Sequence, residues 1–202
     1  AGHFCPANST RAEAWPCPPG SFNPSEGGSS AEACQPCPKG SYCVSGSSDP
    51  SACPAGTLGG GTGLQTAACS GACPANQYCG EGSTLPSPCP AGTFGGSGGG
   101  LSNESQCAWC GAGTFNPVPG AASCEPCSPG SFANETRRAF CTPCAAGSYQ
   151  PSANATRCEA CIEGHFCAEG ASVPLPCAAG SYDGGGGLSG QTECASCPIG
   201  SF

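Results

Sequence analysis

No stretch of this chain places apolar residues at helical spacing over as many as 11 positions. Apolar side chains arrive singly, and glycine or proline interrupts at intervals of three to eight residues. Such punctuation ends helices and shortens strands. The pattern predicts short antiparallel strand pairs, turns and much irregular chain, with almost no helix. The aromatic residues keep one beat: all four Tyr and seven of eight Phe fall in one slot of a recurring string.

That string is Cys-x-x-Gly-x-aromatic. Eleven of the 22 cysteines open a copy or a close variant of it, 16 to 21 residues apart. Examples are Cys17-Pro18-Pro19-Gly20-Ser21-Phe22, Cys89-Pro90-Ala91-Gly92-Thr93-Phe94 and Cys144-Ala145-Ala146-Gly147-Ser148-Tyr149. Glycine stands three after the leading cysteine in every copy but one, where Asn76 replaces it. Asn is the non-glycine residue that best tolerates positive φ, so the exchange predicts a left-handed turn position throughout. The aromatics are expected to form each module's miniature core, packed on a disulfide. Repetition on this scale describes a stack of very small modules.

Cysteine spacing suggests two module types. Four-cysteine modules span residues 1–36 (with the first cysteine expected two residues before Ala1), 37–72, 73–109 and 161–196. Three two-cysteine modules fill residues 110–160, and residues 197–202 open another. The glycine runs at 59–61, 95–100 and 184–187 fall in the long loops, as flexible spacers or as places where another backbone approaches closely.

Composition explains why sulfur is needed. Leu, Ile, Val and Phe together number only 19 of 202, and Met is absent, against 34 Gly and 22 Pro. Burial of so little apolar surface does not offset backbone ordering, which costs about 1–2 kcal/mol per residue. Covalent crosslinks must supply the difference. Net charge is −8 with the acidic residues scattered, which argues against nucleic acid and anionic membrane as partners. No apolar run approaches the ~20 residues of a membrane span. Sequons at Asn8, Asn103, Asn134 and Asn154 point to N-linked glycans and a secreted, extracellular setting, and the chain reads as a mature or excised segment. Asn23 and Asn116 precede proline and do not qualify.

The frame Cys-Pro-x-Gly-[Ser/Thr]-[Phe/Tyr] with linking Cys-x-x-Cys resembles the ephrin-receptor-like cysteine-rich repeat, related to tumour-necrosis-factor-receptor modules. Similar repeats are abundant in large extracellular proteins of algae and other protists, including those of flagellar hairs. The resemblance implies a small disulfide-rich fold, an elongated rod of short β-ribbons, with no catalytic residues. It also implies a pairing. Simple modules would close as Cys110–Cys124, Cys127–Cys141 and Cys144–Cys158. Longer ones would cross first to third and second to fourth: Cys37–Cys53, Cys43–Cys69, Cys73–Cys89, Cys79–Cys107, Cys161–Cys177 and Cys167–Cys194. By the same rule Cys5 pairs with Cys34, while Cys17 and Cys197 take partners outside the segment or in another copy.

Rival chemistries find less support. Cys107-x2-Cys110-x13-Cys124-x2-Cys127 approaches zinc-ribbon spacing. Yet the Cys-x-x-Cys pairs continue in series and would compete for ligands. His3 and His165 are the only histidines, and both sit in the slot usually held by Ser or Thr. Two Asp are too few for clustered calcium ligands. Trp15 and Trp109 lie outside the aromatic slot, as junction caps or as contacts to a neighbour or sugar. The sequence therefore predicts no enzyme, no cofactor and no metal. The expected role is structural, in an extracellular fibre, stalk or filament that assembles with itself. A ligand-binding receptor-like ectodomain is the second reading.

Overall fold

The computed structural model describes residues 1–8, 10, 15–96 and 98–199. Gly200 and Phe202 of the last frame lie outside them. The chain divides into two compact units, one of residues 1–89 and 95–107, the other of residues 90–94 and 108–202. Both follow one plan.

Among the described residues nine two-stranded antiparallel ribbons recur, each strand two residues long. They run from Ser21–Phe22 paired with Gln35–Pro36 to Ser181–Tyr182 paired with Ala195–Ser196. Isolated bridges His3–Pro16 and Thr57–Ala72 occupy the same place in two further copies. The first strand always carries the aromatic slot, and the second ends just before the next leading cysteine. Helical structure among the described residues is confined to three-residue 3-10 turns at Ala31–Ala33, Glu104–Gln106 and Gln191–Glu193.

The Cys-x-x-Gly segment is a tight turn. The residue after glycine donates its N–H back to the residue after cysteine, as in Ser21 to Pro18 (3.1 Å) and Ser148 to Ala145 (3.0 Å). The hydroxyl in that slot donates to the same carbonyl, for example Thr93 Oγ1 to Pro90 (2.7 Å). The turn needs positive φ, and every described frame glycine has it, between +73° and +87°, with Asn76 at +62°. The sequence expectation holds here because residue type alone reports that backbone angle.

Each module then closes on the next. The amide of every leading cysteine from Cys17 to Cys197 donates to the carbonyl of the preceding frame's glycine, or of Asn76, at 2.8–3.1 Å. At the junctions of the modules opened by Cys17, Cys37, Cys53, Cys110, Cys127 and Cys144, three more backbone bonds form a strap to the next module. At Cys127, for example, Gly130 N–H donates to Gln150 O (2.8 Å), Ala133 N–H to Ala155 O (3.0 Å) and Asn154 N–H to Cys127 O (2.8 Å). Asn154 has φ +61°; its equivalents in other modules are Gly46, Gly63, Gly82, Gly100, Arg137, Gly170 and Gly187, all left-handed. Its carbonyl also presses on Gly113, where a Cβ would stand. The glycine runs contribute similar close approaches: a Cβ on Gly59 would meet Gly40 Cα at 2.5 Å. That favours the close-approach reading of this glycine over a flexible spacer.

The interior is sulfur, which corrects the aromatic-core expectation. Apart from Ala133, the buried apolar residues among those described are all cysteines. Aromatic-slot rings such as Phe22, Tyr42 and Phe115 are only half-buried, and Tyr182 is exposed. A ring on a two-residue strand has too little structure around it to be enclosed, whereas the cystine lies inside the turn.

The crossed pairing is also corrected. Every staple joins a leading cysteine to a cysteine within its own module. Cys110–Cys124, Cys127–Cys141 and Cys144–Cys158 form. Cys37–Cys53, Cys43–Cys69, Cys73–Cys89, Cys79–Cys107, Cys161–Cys177 and Cys167–Cys194 do not. In their place stand Cys37–Cys43, Cys53–Cys69, Cys73–Cys79, Cys89–Cys107, Cys161–Cys167 and Cys177–Cys194. Cys17 pairs with Cys34 inside the chain, which displaces the expected Cys5–Cys34 bond and leaves Cys5 and Cys197 as free thiols. The reason is local. The turn folds the sixth residue back beside the leading cysteine, at Cα separations of 5.7–5.9 Å, while the next leading cysteine is tied to the glycine carbonyl at the end of the ribbon.

Gly113→Ala should place a methyl against the Asn154 carbonyl and force a disfavoured φ, costing ~3 kcal/mol locally, the upper range for one substitution. Gly180 has φ +83° but open space around it, so Gly180→Ala should cost only ~1–2 kcal/mol. Hydrogen exchange at the amides of Cys127 and Asn154 measures the first effect, and the amide of Cys197 the second.

Candidate functional site: module junctions and their staples

The sixth residue after each leading cysteine sits in the junction. Three modules put cysteine there and close a short staple of sequence separation 6 (Cys43, Cys79, Cys167). The remaining closed modules use long staples, of separation 14 to 18. A ring of about 15 residues stabilises by ~3 kcal/mol in the loop-entropy account, and the short rings by ~2 kcal/mol.

Where cysteine is absent from this position, three modules bury an amide. Asn23 and Asn116 are 2% and 3% exposed. Asn116 Nδ2 donates to the Thr93 carbonyl of the preceding module (2.6 Å), and its Oδ1 accepts from Val118 N–H (3.0 Å). Asn23 does the same between His3 O (2.9 Å) and Ser25 N–H (3.1 Å). Gln150 accepts from Ser152 N–H (2.9 Å) and donates to Arg157 O (2.7 Å). All three precede proline. The chain thus pins this position with sulfur in some modules and with an amide clip in others. Sequence reading noted Asn23 and Asn116 only as failed sequons; aligning the copies on the leading cysteine would have shown Cys, Asn and Gln sharing a column.

Asp183 occupies that column in the module opened by Cys177. Its Oδ1 accepts from Gly185 N–H (2.9 Å), as an Asn would, but Oδ2 is buried without a partner. A carboxylate oxygen therefore stands where Asn23 and Asn116 supply a donor.

The other residues singled out by sequence fall outside this column. His3 and His165 replace the turn hydroxyl: Nδ1 donates to the carbonyls of Ala1 (3.1 Å) and Glu163 (2.9 Å), which fixes the proton on Nδ1. Cys107, Cys110, Cys124 and Cys127, the zinc-spaced set, are all consumed by disulfides. Trp15 stacks obliquely on Phe4 at 6.0 Å. Trp109 is 60% exposed, and the Arg137 guanidinium lies 6.0 Å from its ring. All four sequon asparagines, Asn8, Asn103, Asn134 and Asn154, are exposed. The Ser105 hydroxyl donates to Asn103 Oδ1 (2.6 Å). Two shifted ionisations are local: burial and then Glu159 across the ribbon hold the Tyr149 phenol high, and Ser189 hydroxyl and N–H bonds hold Glu193 low.

Residues 130–174 match the family described as tyrosine-protein kinase ephrin type A/B receptor-like. The matched stretch contains one complete staple of each kind, Cys144–Cys158 and Cys161–Cys167. No curated protein matches the chain. Ten disulfides and this likeness fit an extracellular location. Among the described residues no helix is long and apolar enough to cross a membrane.

Asp183→Asn should restore the missing donor and stabilise its junction by ~1–2 kcal/mol; Asn116→Asp should destabilise its own by ~1–3 kcal/mol. Hydrogen exchange at the amides of Gly185, which donates to Asp183 Oδ1, and of Gly92, which donates to Asn116 O, reports each change.

Proposed function

We propose that the chain is a structural extracellular glycoprotein, a disulfide-stapled tandem repeat that builds a fibre, stalk or flagellar-hair-like filament and assembles with itself. The observation that supports this most is the recurrence of one junction bond. The same backbone bond from leading cysteine to frame turn recurs in every described copy, and almost every module is closed covalently. A chain whose modules bond mainly to their neighbours suits one-dimensional assembly. Under tension, a closed ring limits how much chain can be drawn out. Glycans at the exposed sequons would shield the scattered exposed side chains, such as Leu85, Val118 and Phe140.

A second reading, a ligand-binding segment of a receptor-like ectodomain, draws on the family match and on the exposed Trp109–Arg137 pair. Imaging of native material separates the two. Periodic filaments support the structural role; isolated stalks carrying a bound globular partner support the receptor.

Single-molecule stretching tests the mechanical claim. In oxidised protein the residues inside each ring should stay hidden. With reductant, each module of staple separation 14 should release roughly 50 Å of extra length, at ~3.5 Å per residue.

A further inference from the structure

We infer that Cys5 and Cys197 are half-staples, each completed by a cysteine from another Cys-x-x-Gly module outside residues 1–202. The inference rests on the structural reading above and names its partner. Cys5 follows Gly2 by three and Phe4 by one, the spacing of Cys167 from Gly164 and Phe166. In that register Cys5 is the sixth residue after its frame's leading position, where Cys43, Cys79 and Cys167 each bond a leading cysteine six positions earlier. Its backbone is already in place, with its N–H donating to Gly28 O (2.8 Å), as Cys167 N–H donates to Leu188 O (2.9 Å). The thiol is exposed. Cys197 is a leading cysteine, its N–H on Gly180 O (2.9 Å), and every other leading cysteine in the chain is stapled.

A second observation points to the same partner. Frame glycines Gly2, Gly20, Gly40, Gly56, Gly92, Gly113, Gly130 and Gly147 are each covered by the carbonyl of a left-handed residue two modules on. Gly164 and Gly180 keep the left-handed φ but have nothing within 4 Å among the described residues. On the Cys197 side uncovered frame glycines and a thiol thus occur together, and the element that fits both is a further module of this repeat. For Cys5 the partner is the leading cysteine of such a frame. Cys197 of a second copy qualifies, and so does a frame cysteine carried elsewhere. The bond forms by thiol–disulfide exchange: two thiols and one oxidised small-molecule disulfide give the new S–S bond and two small-molecule thiols.

The test is alkylation of unreduced native material, then peptide mapping, alongside the same mapping on the 202-residue chain refolded in a glutathione redox buffer. The expected result is Cys5 in a disulfide with a cysteine that stands three residues before a glycine. A Cys5–Cys197 link between chains identifies a second copy as the source. In that case Cys5→Ser and Cys197→Ser should each abolish covalent oligomers. A link to a different frame cysteine identifies another segment. Full alkylation of both thiols before reduction would overturn the inference, as would a Cys5–Cys197 bond within one chain or a symmetric Cys5–Cys5 dimer. Free thiols alongside intact filaments and short extension under force would sink the half-staples alone and leave the structural role standing.

Discussion

The rest of the structure depends on the left-handed turn at the frame glycine. That turn brings the sixth residue beside the leading cysteine, frees the glycine carbonyl for the next leading cysteine and leaves room for a passing carbonyl. A side chain there strains φ and, where a carbonyl passes, collides with backbone; Asn76, at φ +62°, is the one exchange among the described copies. The staple's contribution is to keep the turn closed in a chain with almost no apolar interior. Each module gains a few kcal/mol from ring closure and spends it on ordering glycine- and proline-rich loops.

The same economy explains the sixth position. A cystine and a buried amide are unlike chemically, but both occupy the inside of the turn without leaving a polar group unsatisfied. The amide additionally ties the turn to its neighbour: Asn23 and Asn116 reach a carbonyl of the preceding module. Asp183 shows what the position tolerates less well, since one oxygen is left without a donor. Modules closed by a long staple are therefore the ones free to place Asn, Gln, Ala133 or Gly59 there.

Much of this was legible in the sequence, for identifiable reasons. Positive φ is written in residue type, so Gly92 and Asn76 announced the turn. Short ribbons followed from punctuation by Gly and Pro. Pairing in the simple modules came from resemblance and holds, as in Cys110–Cys124; in the four-cysteine modules it was not legible, because cysteine order carries no distances, and the turn geometry replaced the crossed scheme. Burial was misjudged because the aromatic beat of Phe22, Tyr42 and Phe115 looks like a core, yet a two-residue strand cannot enclose a ring. The strap residues escaped notice because Gly46, Arg137 and Asn154 share a conformation and no chemistry. Asn154 was read as a glycan acceptor, and its backbone proves to be part of a junction.

The central claim is that closure by sulfur holds the junction hydrogen bonds in place. Hydrogen exchange measured on the oxidised chain, and again after complete reduction and alkylation, tests it most directly. The account predicts that the amides of Cys37, Cys127, Cys144 and Cys161, each bonded to a frame glycine, lose protection together once the staples are opened. Slow exchange persisting at those amides in the reduced, alkylated chain would contradict it.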